Sequence, residues 1–147
     1  MAGASAQEPS LPPPHTLRTA ADVMQPAVST VKPDDHVAAA AYLMKHGRAT
    51  ALVIVDDEED RRPLGLVTEA DIVRAVADGK DVNDVRIHDL MTADPTVIQA
   101  ATSVRDAAEM MLAGHFRHLP VVDDGRHLIG IVDIRDVCQA LLESAPE

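Results

Sequence analysis

Residues 23–44, VMQPAVSTVKPDDHVAAAAYLM, recur at 90–111 as LMTADPTVIQAATSVRDAAEMM, at a constant offset of 67 positions. Met24 aligns with Met91, Val37 with Val104, Ala40 and Ala41 with Ala107 and Ala108, Met44 with Met111, and Gly47 with Gly114. The register continues through LVIVDD (52–57) against LPVVDD (119–124). DDEEDRRPLG is then two residues longer than DDGRHLIG, and the offset becomes 65, pairing Gly65 with Gly130, Val67 with Val132 and Asp71 with Asp136. A correspondence of this length with one short gap is an internal duplication. It calls for a fold made of two copies of one supersecondary unit.

Each copy reads as a short strand, a helix, two strands and a second helix. Val37, Ala40, Ala41 and Met44 fall at i, i+3, i+4 and i+7, one apolar helical stripe, and Val104, Ala107, Ala108 and Met111 repeat it. Asp34 or Asp35, and Thr102 or Ser103, are available as N-caps, while Gly47 and Gly114 stand where helix C-terminal glycines belong. The apolar runs 51–55 and 119–122 end in Asp-Asp and read as buried strands; PLGLV and HLIGIV supply the returning strands. Second helices are expected over Glu69–Ala77 and Ile134–Leu142.

A half of roughly 60 residues cannot cover its own apolar stripe. The fold class that follows is α+β, two β-α-β-β-α units packed through their sheets in pseudo-twofold symmetry. Clefts are expected where one half's strand-to-helix turn faces the other half. The expected divisions are a disordered, Pro-rich tail at 1–18, a first unit at 19–82 and a second at 83–147. The core must be aliphatic: apolar residues make up 46%, yet there is no Trp, one Tyr and one Phe. Met24, Met44, Met91, Met110 and Met111 read as core for the same reason.

The formal net charge of −11 repels nucleic-acid backbone and anionic membrane, and the lack of aromatic platforms disfavours single-strand binding. Cys138 is the only cysteine, so no intrachain disulfide or Cys-based metal cluster can form. The N-terminal stretch has neither a basic start nor an apolar centre, and no run of about 18 apolar residues occurs. A soluble, cytoplasmic protein is expected. His115 and His118 lack a third metal ligand at standard spacing, and DDEED at 56–60 reads as a solvated turn. No nucleophile elbow, Gly-rich phosphate loop or motif-paired acid and base is present, so the chain does not read as an enzyme.

One motif carries chemistry. In GLVTEAD (65–71) Thr68 opens a helix and Asp71 follows three residues later, the spacing of a capping box. The same turn can hold a nucleotide, because a helix N-terminus offers free N–H groups to an anion and a carboxylate binds a diol strongly. The second copy reads GIVDIRD, with Asp133 in place of Thr68 and Asp136 in place of Asp71. Asp133 can cap a helix but repels a phosphate.

Over residues 19–143 the paired units, the strand pairs LVIVDDEEDRRPLGLV and LPVVDDGRHLIGIV, and the GLVTEAD turn resemble the tandem cystathionine β-synthase (CBS) domain pair, or Bateman module. The resemblance implies a stand-alone regulatory module that binds an adenine nucleotide (AMP, ADP or ATP) between its halves. It implies that Asp71 takes the ribose hydroxyls while Thr68 and its helix terminus face the phosphate. It further implies that Arg117 and His118, just before the second LPV strand, and Arg135 meet that phosphate from the other half. The counterparts of Arg117 and His118 are Thr50 and Ala51, so the second cleft is expected to lack cations; Arg48 lies two positions early. NAD or S-adenosylmethionine could substitute, since both carry adenosine. A homodimer through the helical faces and an unidentified effector protein are also implied. The alternative from another class is a ligand-free, dimeric protein-interaction module, in which Thr68 and Asp71 only cap a helix.

Overall fold

The computed structural model describes residues 18–26 and 28–144; the expected tail at 1–18 lies almost wholly outside the described residues. The first half comprises β1 (Thr30–Val31), α2 (Val37–Gly47), β2 (Ala51–Val55), β3 (Pro63–Thr68) and α3 (Glu69–Ala77), preceded by a short α1 (Ala20–Val23). After a 3₁₀ turn at Ile87–Asp89 come β4 (Thr92–Ala93), β5 (Ile98–Gln99), α4 (Val104–Gly114), β6 (His118–Val122), β7 (Leu128–Asp133) and α5 (Ile134–Ser144). The fold is α+β, with two small sheets in the orders β1-β2-β3-β4 and β5-β6-β7. β1 and β5 run parallel to their neighbours β2 and β6; the hairpins β2–β3 and β6–β7 are antiparallel. Both hairpins shift register at the same repeat position, Ile54/Val55 and Val121/Val122.

ALVIV at 51–55 does not alternate because it is covered on both faces, and all five residues are buried. Leu52 and Ile54 pack with Val37, Ala40 and Met44 of α2. Ala51, Val53 and Val55 point the other way and meet Leu128 and Ile131 of β7, joining the halves through their sheets. Fully burying a Val, Leu or Ile contributes about 1.5–3 kcal/mol, so this aliphatic seam holds the halves without aromatic residues. Met44 and Met111 are buried and Met24, Met91 and Met110 pack partly buried against the cores, as the sequence indicated.

The segments that precede each half are exchanged. Gln25 pairs antiparallel with Ile131 at the edge of the second sheet, while Thr92 pairs with Leu66 in the first. Ala20, Val23 and Met24 belong to the second half's core, and Ile87, Leu90 and Met91 to the first half's. Two isolated bridges keep the same symmetry, Thr19 to Ser103 and His36 to Arg86.

Three details differ from the sequence reading. Ser103 caps α4, accepting from Asp106 N–H at 2.9 Å, but neither Asp34 nor Asp35 caps α2. His36 holds that position without a side-chain bond, because Asp35 is turned back to accept from Lys32 N–H at 2.9 Å. Gly47 and Gly114 are the last helical residues, and the left-handed position falls one later, on Arg48 (φ 55°) and His115 (φ 58°). α5 continues to Ser144, two residues past Leu142.

Candidate nucleotide cleft

The β3–α3 turn is shaped by a reciprocal cap. Thr68 Oγ1 accepts from Asp71 N–H at 3.2 Å, and Asp71 Oδ2 accepts from Thr68 N–H at 2.9 Å. The Glu69 amide donates to the Thr50 carbonyl at 3.0 Å, while the Ala70 amide has no acceptor among the described residues. Two groups at this helix start remain open to an incoming anion: the Ala70 N–H and the Thr68 O–H hydrogen. Asp71 Oδ1 also meets Arg74 Nη1 at 3.2 Å, and the carboxylate is 15% exposed. A carboxylate has about four acceptor sites, so two remain for hydroxyl donors.

All five residues picked out from the sequence, Thr68, Asp71, Arg117, His118 and Arg135, line one cavity of about 600 Å³ between the halves. Arg117 lies in the α4–β6 loop and Arg135 in the first turn of α5, so the second half brings its cations to the first half's helix terminus. Neither arginine has a carboxylate partner within salt-bridge distance among the described residues, whereas Arg18, Arg61, Arg62, Arg74 and Arg105 all do. In a chain of net charge −11, two guanidiniums without a carboxylate partner among the described residues meet at one cleft, which also carries the carboxylates of Glu69, Asp71, Asp94 and Asp133.

His118 is held in a cluster spanning both halves. Its Nε2 lies 2.7 Å from Thr50 Oγ1 and 3.4 Å from Asp133 Oδ2, and the Thr50 hydroxyl donates to Asp133 Oδ2 at 3.2 Å. One tautomer satisfies the chain, with Nε2–H donating to the Thr50 oxygen and the Thr50 O–H to Asp133. Burial pushes the His118 pKa below its ordinary value; Asp133 opposes that shift and Arg117 reinforces it.

Sequence reasoning missed several lining residues. Leu66, Pro95 and Phe116 give the cavity an apolar side, and Asp94, in the left-handed region at φ 51°, adds a carboxylate. Phe116 could have been found from the repeat, since its counterpart is Ala49; Asp94 left no signal, because its counterpart Ala27 is unremarkable.

A second cavity of about 760 Å³ occupies the symmetry-related position and is lined by Asp133, Asp136, Arg48 and Arg135 among others. The expectation of a cleft without cations is therefore corrected. Arg48 reaches it through its left-handed turn, as His115 reaches the first cavity, and Arg135 lines both. No three His, Cys, Asp or Glu side chains are placed to hold a metal ion among the described residues. No described helix is long and apolar enough to cross a membrane.

Comparison with known proteins agrees with this architecture. An uncharacterised 17.7 kDa protein of Acidianus ambivalens is 40% identical over 116 residues, which span 79% of this chain and 68% of that protein. CBSX2 of Arabidopsis thaliana, solved in complex with AMP, superposes with a TM-score of 0.70 at 31% identity, covering 86% of this chain and 97% of CBSX2. A CBS domain pair solved with 5′-methylthioadenosine and S-adenosyl-L-methionine superposes with a TM-score of 0.77 at 25% identity, covering 86% of this chain and 98% of that one. The CBS domain model matches residues 20–78 and 87–143, one match for each repeat. The chain belongs to the CBS domain family.

Proposed function

We propose that the chain is a regulatory CBS pair that binds an adenine nucleotide of the AMP, ADP or ATP class in the cavity of Thr68, Asp71, Arg117, His118 and Arg135, and signals its occupancy to a partner protein. The observation that carries this reading is the meeting of two arginines from one half, unpaired among the described residues, with the capped helix start of the other. In the proposed arrangement the phosphate meets the Thr68 hydroxyl, the Ala70 amide and the guanidiniums of Arg117 and Arg135. Asp71 accepts from the ribose hydroxyls, and Leu66, Pro95 and Phe116 offer the base an apolar surface. The AMP-bound CBSX2 and the pair bound to adenosine-type compounds support the ligand class. A ligand held by both halves favours the arrangement in which they are drawn together, which is the differential affinity that signalling requires.

The role proposed is binding rather than catalysis. A homodimer is proposed through the helical faces, where Tyr42 on α2, Val73 and Val76 on α3, Leu112 on α4 and Leu142 on α5 are each more than half exposed.

A thermal-shift panel of AMP, ADP, ATP, NAD and S-adenosylmethionine on ligand-stripped protein tests the reading. At a concentration 100 times Kd a ligand adds about 2.7 kcal/mol, and a phosphorylated adenosine is expected to raise the midpoint by several degrees. If none of the panel moves it, the nucleotide reading fails and the dimeric interaction module takes its place.

A further inference from the structure

We infer that Asp133, a residue of the second repeat, sets how much negative charge the Thr68 cavity accepts and limits it to an adenosine bearing a single phosphoryl group. The inference rests on the nucleotide reading and specifies its ligand.

Asp133 lines the same cavity as Thr68, Arg117 and Arg135. Two hydrogen bonds orient it, and the His118 ring lies against it. Its Oδ1 accepts from Arg135 N–H at 2.8 Å, and its Oδ2 accepts from the Thr50 hydroxyl at 3.2 Å and lies 3.4 Å from His118 Nε2. The carboxylate is 26% exposed, so its charge is only partly screened by water.

The permanent cations among the described lining residues are Arg117 and Arg135, whose two charges equal those of one phosphoryl dianion only before the lining carboxylates are counted. No lysine lines it, and Glu69 and Asp94 add further carboxylates. A second or third phosphoryl group would bring charge with no additional lining guanidinium to receive it, toward the hydrogen-bonded carboxylate of Asp133. The repeat isolates the cause: the position that faces the anion as Thr68 in one copy is Asp133 in the other, and the folded chain presents both to one cavity. A like-charge contact in such a partly desolvated site weakens binding by about tenfold or more.

Isothermal titration of the full chain with AMP and ATP, first in metal-free buffer and then with Mg²⁺, reads this directly. AMP is expected to bind at least about tenfold more tightly than ATP without metal, and Mg²⁺, which neutralises the added phosphates, is expected to narrow the gap. Asp133→Asn keeps the shape and the Arg135 acceptor while removing the charge, and should tighten ATP more than AMP. Asp133→Thr, the residue the first repeat uses at this cap, gives the same comparison should the Asn variant fail to fold. Equal metal-free affinities for AMP and ATP overturn the inference and leave the nucleotide reading standing. An AMP-to-ATP ratio unchanged in the folded variant also overturns it. Absence of binding by every adenosine compound overturns both.

Discussion

Gly130 has no room for a side chain because Met24, from the start of the described chain, lies across it: a Cβ there would fall 2.5 Å from Met24 Sδ and 3.1 Å from the Gln25 carbonyl oxygen. Gly65 stands in the same relation to Met91, with a Cβ 2.7 Å from its Sδ and 2.9 Å from the Thr92 carbonyl oxygen. These two contacts are where the exchanged segments lock onto the opposite sheets. A thioether can move but a backbone carbonyl in a sheet cannot, so Gly65→Ala is expected to lose about 1–3 kcal/mol and Gly130→Ala somewhat less. An uncrowded Gly→Ala would gain about 0.4–1 kcal/mol. The sign of the shift in the urea midpoint therefore checks the exchange, and a stabilised variant contradicts it.

The two roles of Thr68 separate by substitution. Thr68→Ala removes the acceptor of the Asp71 amide and should cost about 1 kcal/mol. Thr68→Asp restores a cap but places a carboxylate at the proposed phosphate site, as Asp133 does in the second copy. It is expected to keep near-native stability and to bind AMP about tenfold or more weakly. Equilibrium unfolding and AMP titration of both variants check this; unaltered AMP affinity in Thr68→Asp would remove Thr68 from the site.

Much of this architecture is legible in the sequence, for reasons that particular residues make plain. The stripe of Val37, Ala40 and Met44 and the uniform run 51–55 have periods that only a helix and a doubly covered strand explain, and both sit where expected. The meeting of Arg117 and Arg135 with Thr68 is implied by the resemblance to the CBS pair rather than by periodicity or spacing, and the three residues line one cavity. The exchange of Met24 and Met91 was encoded in Gly65 and Gly130, but a strand glycine says only that something approaches closely, not what. Arg48 stands two positions early in the sequence, and both it and Asp94 line their cavities from left-handed backbone turns that the repeat pattern does not reveal. The cap of α2 failed as an inference because two adjacent aspartates could each compete for a turn instead, and Asp35 does.

Acid should weaken the fold through His118. Burial lowers its pKa from the ordinary 6.5, with Asp133 opposing and Arg117 adding to the shift. The folded imidazole thus gives up its proton more readily than the unfolded one. Its contribution to stability is fully present above 6.5, the unfolded value, and is lost as pH falls from there toward the lowered folded value, where the unfolded chain binds more protons. The melting midpoint is expected to decline through this window, and His118→Gln to flatten the decline relative to wild type. Parallel profiles for the two proteins would contradict it. The comparison between variants isolates His118 from every other group.

Arg117 is the most direct test of the central claim. It makes no salt bridge among the described residues and is exposed, so Arg117→Ala should leave stability within about 0.5 kcal/mol. A lost charged hydrogen bond to phosphate is worth about 1.5–3 kcal/mol, which corresponds to roughly 10- to 100-fold in affinity. The measurement is an isothermal titration of AMP into ligand-stripped wild type and Arg117→Ala, side by side. Saturable binding to wild type, weakened at least about tenfold in a variant of unchanged stability, is the predicted result. Equal affinities, or no binding to either protein, would contradict the account.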